Sequence, residues 1–187
     1  HLLLTVSGDR LHLAATDLDV SLTSWVPGEV LAEGAIAVQA KKFIEIVRSV
    51  RKAVKVPIAL KISPYFTSLA NVAKRFDDEG VNALVLFNRF LQPDIDLDRM
   101  ALNSSMQLSH PWEMLVPLRW TAILHGRVKA DLAASTGVHD TAGVVKMILA
   151  GATVVQFAAS LLRNGVPHLG TLKAGLLEWM ERGHYSA

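Results

Sequence analysis

Two kinds of hydrophobic spacing follow one another along the chain. In the first, short apolar runs alternate with turn residues. Residues 2–6, 10–16 and 18–25 read as strands, with Ser7-Gly8-Asp9 as a hairpin turn between the first two. Leu11, Leu13 and Ala15 recur at every second position, the mark of a strand with one covered face. A further strand is predicted over 34–39. It leads into a helix at Ala40, in which Phe43, Ile46, Val47 and Val50 return at intervals of three and four. That helix continues through Arg51, Lys52 and Ala53 towards Pro57, which cannot extend it.

Beyond Pro57 strand-length and helix-length segments alternate. The pattern predicts strands at 57–62, 83–87, 129–134 and 153–156, and helices at 67–79, 111–126, 140–150, 157–164 and 167–182. Strands separated by helices imply parallel, right-handed βαβ units. Four such units make half of an eight-stranded barrel. The expected fold class is therefore α/β: a parallel (βα)4 half of a TIM-type barrel with an N-terminal antiparallel β appendage. The connection from Asn88 to Ser109 is long and carries the acidic run Asp94-Ile95-Asp96-Leu97-Asp98. In such barrels long βα loops stand on the ligand-binding face.

Composition sharpens this in three ways. The hydrophobic share is 51% against 19% charged, with mean hydropathy +0.31, which excludes disorder and fits strands covered on both faces. No cysteine is present, so disulfides, thiolate metal sites and a cysteine base are excluded, and a cytoplasmic location is expected. The net charge of +2 gives no ground for a nucleic-acid partner. Residues 1–50 hold more acidic than basic side chains and residues 51–187 the reverse, with no basic stripe in either part.

The run Met147–Leu162 is apolar but short of a membrane span, and it contains Gly151 and Gln156. It reads as a buried helix end, a central strand and another helix, so no membrane partner is expected. No signal-peptide pattern is seen, and the chain opens at His1 within an apolar strand, as an excised segment would.

Two resemblances overlie this reading. Leu2-Leu3-Leu4, Gly8-Asp9-Arg10-Leu11, Ala15-Thr16-Asp17-Leu18-Asp19-Val20, Gly34-Ala35-Ile36-Ala37-Val38 and Ala40-Lys41-Lys42-Phe43 occur in register. Over residues 1–50 they resemble the first domain of bacterial DNA polymerase sliding clamps. From about residue 51 onward the chain resembles the C-terminal half of dihydroorotate dehydrogenase-like flavoproteins. Val54–Pro64, Leu84–Phe90 with Gln92–Asp96, Pro117-Leu118-Arg119-Trp120, Thr136-Gly137-Val138-His139 and Ala159–Gly165 carry that likeness. The expected organisation is a clamp-like β segment over 1–50, ending in a helix, joined to a dehydrogenase-like half-barrel over 51–187. The join would fall inside the shared helix.

The second resemblance implies a flavin mononucleotide (FMN) site. Lys61 would contact the flavin ring and Asn88 its edge or a substrate carboxylate. From the residues alone, the first is equally a solvent-facing lysine and the second a loop-capping asparagine. Thr136, Gly137, Ala158 and Ala159 would form the phosphate cradle, from a glycine turn after one strand and a helix start after the next. Many family members have Gly-Gly at the first pair and Gly-Thr or Ala-Ser at the second.

Three further sets of residues read as structural. His110, His125 and His139 lack metal-ligand spacing and read as loop or helix-end residues. Asp94, Asp96 and Asp98 lack the glycine turn and closing Glu of a calcium loop, so no metal is expected. Trp112, Trp120 and Trp179 are expected to pack.

In the dehydrogenase family the general base is a Cys or Ser on a loop after the fourth strand, and clamp-like sequence occupies that place here. No complete catalytic site is therefore expected, and oxidation of dihydroorotate would lose several orders of magnitude. Two alternatives stand beside a chimera with a residual FMN-phosphate or anion rim: an FMN-dependent oxidoreductase and a DNA-replication interaction module. A half-barrel leaves two sheet edges open, at 57–62 and 153–156, and self-association into a homodimer is the expected remedy.

Overall fold

The computed structural model describes residues 2–7, 10–16, 21–27, 34–36, 40–89, 94–103 and 107–185, with side chains described from residue 40 onward. The chain divides into two compact units. One comprises His1–Ile46 with Arg89–Gln107, the other Val47–Asn88 with Leu108–Ala187.

In the first unit β1 (Leu2–Ser7), β2 (Arg10–Thr16), β3 (Ser21–Pro27) and β4 (Gly34–Ile36) form an antiparallel sheet in the order β3-β2-β1-β4. Leu4 stands opposite Leu13 and Ile36. Ser7 pairs with Arg10, although the expected turn residues Gly8 and Asp9 lie outside the described residues. The same is true of residues 18–20 and 37–39 of the expected strands.

The 88–109 connection departs from the expected extended loop. It contains a small hairpin of β7 (Asp94–Asp96) and β8 (Ala101–Asn103). The Asp96 carboxylate holds the hairpin's turn by accepting from the Asp98 and Arg99 backbone N–H groups, at 3.1 and 3.0 Å. The acidic run therefore serves turn geometry, and among the described residues no group of His, Cys, Asp or Glu could hold a metal ion.

Helix α1 (Ala40–Ala53) contains the boundary between the units. Its last turns belong to the second unit. Arg48 forms a two-pronged ion pair with Glu79, its Nε at 2.8 Å, and Arg51 Nη1 donates to the Val56 carbonyl at 3.0 Å.

The second unit is the parallel (βα)4 half-barrel. β5 (Ala59–Ile62), β6 (Ala83–Leu86), β9 (Asp131–Ser135) and β10 (Val154–Gln156) pair in chain order, all parallel. The connections carry α2 (Leu69–Asp78), α3 (Leu115–Leu124) and α4 (Thr141–Leu149), and α5 (Ala159–Asn164) and α6 (His168–Arg182) follow β10. The register sets Ile62, Leu86, Ala134 and Val155 side by side, and Lys61, Val85, Ala133 and Val154 one residue earlier.

Neighbours in parallel register share a face, so these two rows look in opposite directions. The first faces the helices. Ala134 and Val155 pack with Met114, Val138, Val144 and Met147, and Leu69, Val72, Ala73 and Phe76 form the buried face of α2. The second row looks into what would be the barrel interior. Its central members Val85 and Ala133 are each 6% exposed, whereas Val154 is 50% exposed and Lys61 also lies open. The open positions are the two free edges.

The predicted helix 111–126 is a 3-10 turn over Pro111–Met114 followed by α3. Pro111 opens it and Glu113 accepts from the His110 N–H. Trp112, expected to pack, is 69% exposed and stacks on the His110 ring. Trp179 does pack, against Tyr185. No helix among the described residues is long and apolar enough to cross a membrane.

At the N-terminal end of the strands two polar side chains fasten the layers. Asn82 Oδ1 accepts from Ile58 N–H at 2.9 Å, and its own N–H donates to the Ile58 carbonyl. The Asp77 carboxylate, at the end of α2, accepts from Lys129 and Ala130 N–H at 3.0 and 2.8 Å, fixing where the chain turns into β9. Asp77→Ala would leave both donors unmet, one of them on buried Ala130. We expect a loss of about 2 kcal/mol in urea unfolding; an unchanged midpoint would refute the anchor.

Candidate functional site

The C-terminal ends of parallel strands are where connecting loops converge and where α/β sheets bind ligands. Here that rim is built from the residues after β6, β9 and β10. Asn88 follows β6, is half-buried, and donates its backbone N–H to the Ile62 carbonyl at 2.9 Å, which turns the loop towards β5. Thr136 and Gly137 follow β9 and both have left-handed backbones, with φ of 85° and 74°. Ala158 and Ala159 follow β10 and begin α5. Since Gln156 stands level with Ser135, the last two pairs leave neighbouring strands at the same height. Lys61 lies apart from them, on the inner face of β5 and two strands from β9.

The residues of these motifs also carry packing and backbone constraints. A Cβ on Gly137 would come within 2.3 Å of the Met114 backbone nitrogen. The glycine thus lets the 3-10 turn pack against β9, and the side a side chain would occupy is already filled. Thr136 has a side chain in a region that only glycine enters freely, and this costs about 1 kcal/mol. α5 has six residues and no side-chain cap, so its dipole is short. Ser160, inside its first turn, is fully buried, and its hydroxyl has no partner among the described residues.

Reading the sequence missed a polar cluster on the same rim. Ser109 Oγ lies 3.3 Å from His139 Nε2, joining the end of the long β6–α3 connection to the loop after β9. His168 Nε2 donates to the His139 carbonyl at 3.0 Å, and Arg163 Nη2 donates to the Leu108 carbonyl at 3.2 Å. These contacts tie the start of α6 and the end of α5 to the loops on either side. Thirty residues separate Ser109 from His139, so no local spacing could have signalled the pair.

Burial pushes the His139 imidazole below its ordinary value of 6.5, and the nearby Arg163 guanidinium pushes in the same direction. Ser109 and Asp140 oppose this only partly.

Comparison with known proteins now bears on the whole chain. The family model for the DNA polymerase III beta subunit, N-terminal domain, matches residues 1–82. A second similarity, overlapping the first, is to another kind of protein. The catalytic subunit of dihydroorotate dehydrogenase B (NAD(+)) from Lachnoclostridium phytofermentans is 26% identical over 183 residues, covering 95% of this chain and 60% of that protein. The Geobacter sp. subunit is 35% identical over 115 residues, 60% of this chain and 38% of that protein. Two families are resembled in one chain.

Among solved structures, a dihydroorotate dehydrogenase from Eimeria tenella, crystallised with ferulenol, superposes with a TM-score of 0.55 at 19% identity. It covers 68% of this chain and 35% of that one, a likeness of fold. The chain spans about half the length of the curated relatives it matches: 47% of the Porphyromonas gingivalis subunit, for example. The clamp-type match extends beyond α1, through β5 and α2, as far as Asn82.

Two outcomes follow. Because the folded protein holds His139 below 6.5 and the unfolded chain does not, protonation favours unfolding. Stability should be complete above pH 6.5, fall as the pH drops below it, and level off below the folded value. His139→Gln should flatten that part of the pH profile, and an unaltered slope would show that the titration lies elsewhere. Thr136→Gly should raise stability by about 1 kcal/mol by relieving the left-handed backbone, read as an upward shift in Tm.

Proposed function

We propose that the half-barrel carries a rim for a flavin-type ligand with a phosphate, FMN or a molecule sharing its anionic tail, and that this chain alone does not complete an oxidation site. The observation that carries the reading is the level emergence of Thr136-Gly137 and Ala158-Ala159 from adjacent parallel strands. The orphaned Ser160 hydroxyl beside them is a second polar group left for a ligand to satisfy. Gly137 contributes through its backbone only, because Met114 occupies its side-chain direction.

On this reading the four backbone positions hold the phosphate end. Lys61, on the inner face of β5, supplies positive charge to the ring system, and Asn88 offers an amide to its edge. Bound FMN would supply hydride-accepting chemistry. The chain's own groups bind and orient. His139, kept neutral by burial, is free to accept a proton at Nε2 only in competition with Ser109.

The likeness to dihydroorotate dehydrogenase B subunits supports an FMN-dependent oxidoreductase as the second reading. The first is preferred because the described strands β1–β4 form an antiparallel sheet of their own rather than the βα units that carry the family's base. On this reading the join between the two parts falls in α1, whose last turns are held to the half-barrel by Arg48 and Arg51.

Titration of the purified protein with FMN, followed by flavin fluorescence, tests both readings. Saturable binding is expected, weakened about tenfold by Lys61→Ala through loss of a charge-assisted contact. No bleaching of the bound flavin by dihydroorotate is expected. Bleaching would establish the oxidoreductase reading, and absence of binding would remove both.

A further inference from the structure

We propose that two copies of this chain close one eight-stranded barrel, with the free edge of β5 in each copy pairing with the free edge of β10 in the other. The proposal needs only the sheet and stands whether or not the rim binds flavin.

The two edges complement each other and not themselves. The four strands are parallel and run in chain order, so among the described residues β5 has a neighbour on one side only and β10 on the opposite side only. A two-fold rotation about the barrel axis keeps every strand pointing the same way and brings β10 of each copy beside β5 of its partner. It creates two identical parallel seams and leaves no edge unpaired. Pairing β5 with β5 or β10 with β10 would need antiparallel strands and would leave half the edges open.

The exposure along the inner row fits this closure. Val85 and Ala133 are buried, while Lys61 and Val154 at the ends of the same row are open, so within the second unit the inner face is uncovered towards both edges. Apolar side chains next in sequence to the edge strands are exposed. Val56 precedes β5, Leu162 and Val166 follow β10, and they are 64%, 73% and 72% exposed. The last turn of α1 is held at the N-terminal end of the strands, by the Val56 carbonyl and Glu79, which leaves α6 to cover the seam.

The area is sufficient. An edge about 20 Å deep through sheet and helix and, for strands of three and four residues, about 12 Å long offers roughly 250 Å². Four such faces meet in the dimer, on the order of 1,000 Å² in all, which reaches the lower bound of a specific interface.

The geometry also fixes the register of the seam. A closed eight-stranded barrel of this class has a shear of about eight residues, hence about four over each half. Within one copy Ser63, Phe87, Ser135 and Gln156 lie on one level, by extension of the observed pairing. Stepping from Gln156 to the next strand on the right-handed barrel lowers the position by four. Gln156 of one copy therefore meets Ala59 of its partner.

The chain has no cysteine, so a disulfide can report on this without background. Within one copy, residues 59 and 156 are separated by three strand spacings, about 14 Å of sheet, beyond the roughly 7 Å a disulfide spans. The test uses the full chain with A59C and Q156C together, oxidised and run on a non-reducing gel. Light scattering of the unmodified protein accompanies it.

The expected result is a native mass of twice 20.3 kDa and a covalent dimer from the double variant only. A monomer at tens of micromolar, a dimer that the double variant fails to cross-link, or cross-linking by either single variant would overturn the proposal. FMN titration of the same samples is read separately, because loss of flavin binding leaves the cross-link unaffected.

Discussion

The in-register parallel ladder of β5, β6, β9 and β10 is the constraint on which the rest of the second unit depends. It makes the strand ends level, and level ends turn loops from distant parts of the sequence into one rim. It also decides which faces are apolar. Ile62, Leu86 and Ala134 must be covered by helices, and that demand sets the buried stripes of α2 and α4. The ladder is fastened at its lower end by Asp77 and Asn82, polar groups used to satisfy backbone donors where strands begin. A parallel pair has no tight turn to hold its register, so these anchors take the place that hairpin turns hold in the antiparallel sheet.

Much of this was legible in the sequence, for definite reasons. The strands Ala83–Leu86 and Asp131–Ser135 are short apolar runs bounded by turn residues, and burial on both faces leaves them nothing else to be. Leu69, Val72, Ala73 and Phe76 spell out one helical face. β5 starts at Ala59, two residues later than expected, because Ile58 spends its backbone groups on Asn82.

What was not legible has equally physical causes. The β7–β8 hairpin hid behind its charges: Ile95 and Leu102 form a cross-strand pair on a face that stays in solvent, so the alternation carried no burial signal. Trp112 was assigned to packing by its residue type, but the 3-10 turn points it outward. The Ser109–His139 pair exists only because β6 and β9 are neighbours, and neighbourhood of strands is not written in any local window. The packing constraint on Gly137, with Met114 filling the direction a side chain would take, left no trace in the local sequence.

The second unit is interrupted in sequence, since residues 89–107 belong to the other unit. As the chain leaves the ribosome, β5, α2 and β6 emerge well before β9, and the intervening stretch must be synthesised before β6 gains its second neighbour. Loop closure grows costlier only with the logarithm of length, so the delay is kinetic far more than thermodynamic. Any change in the length of that excursion must leave Asn88 and Leu108 where the half-barrel needs them.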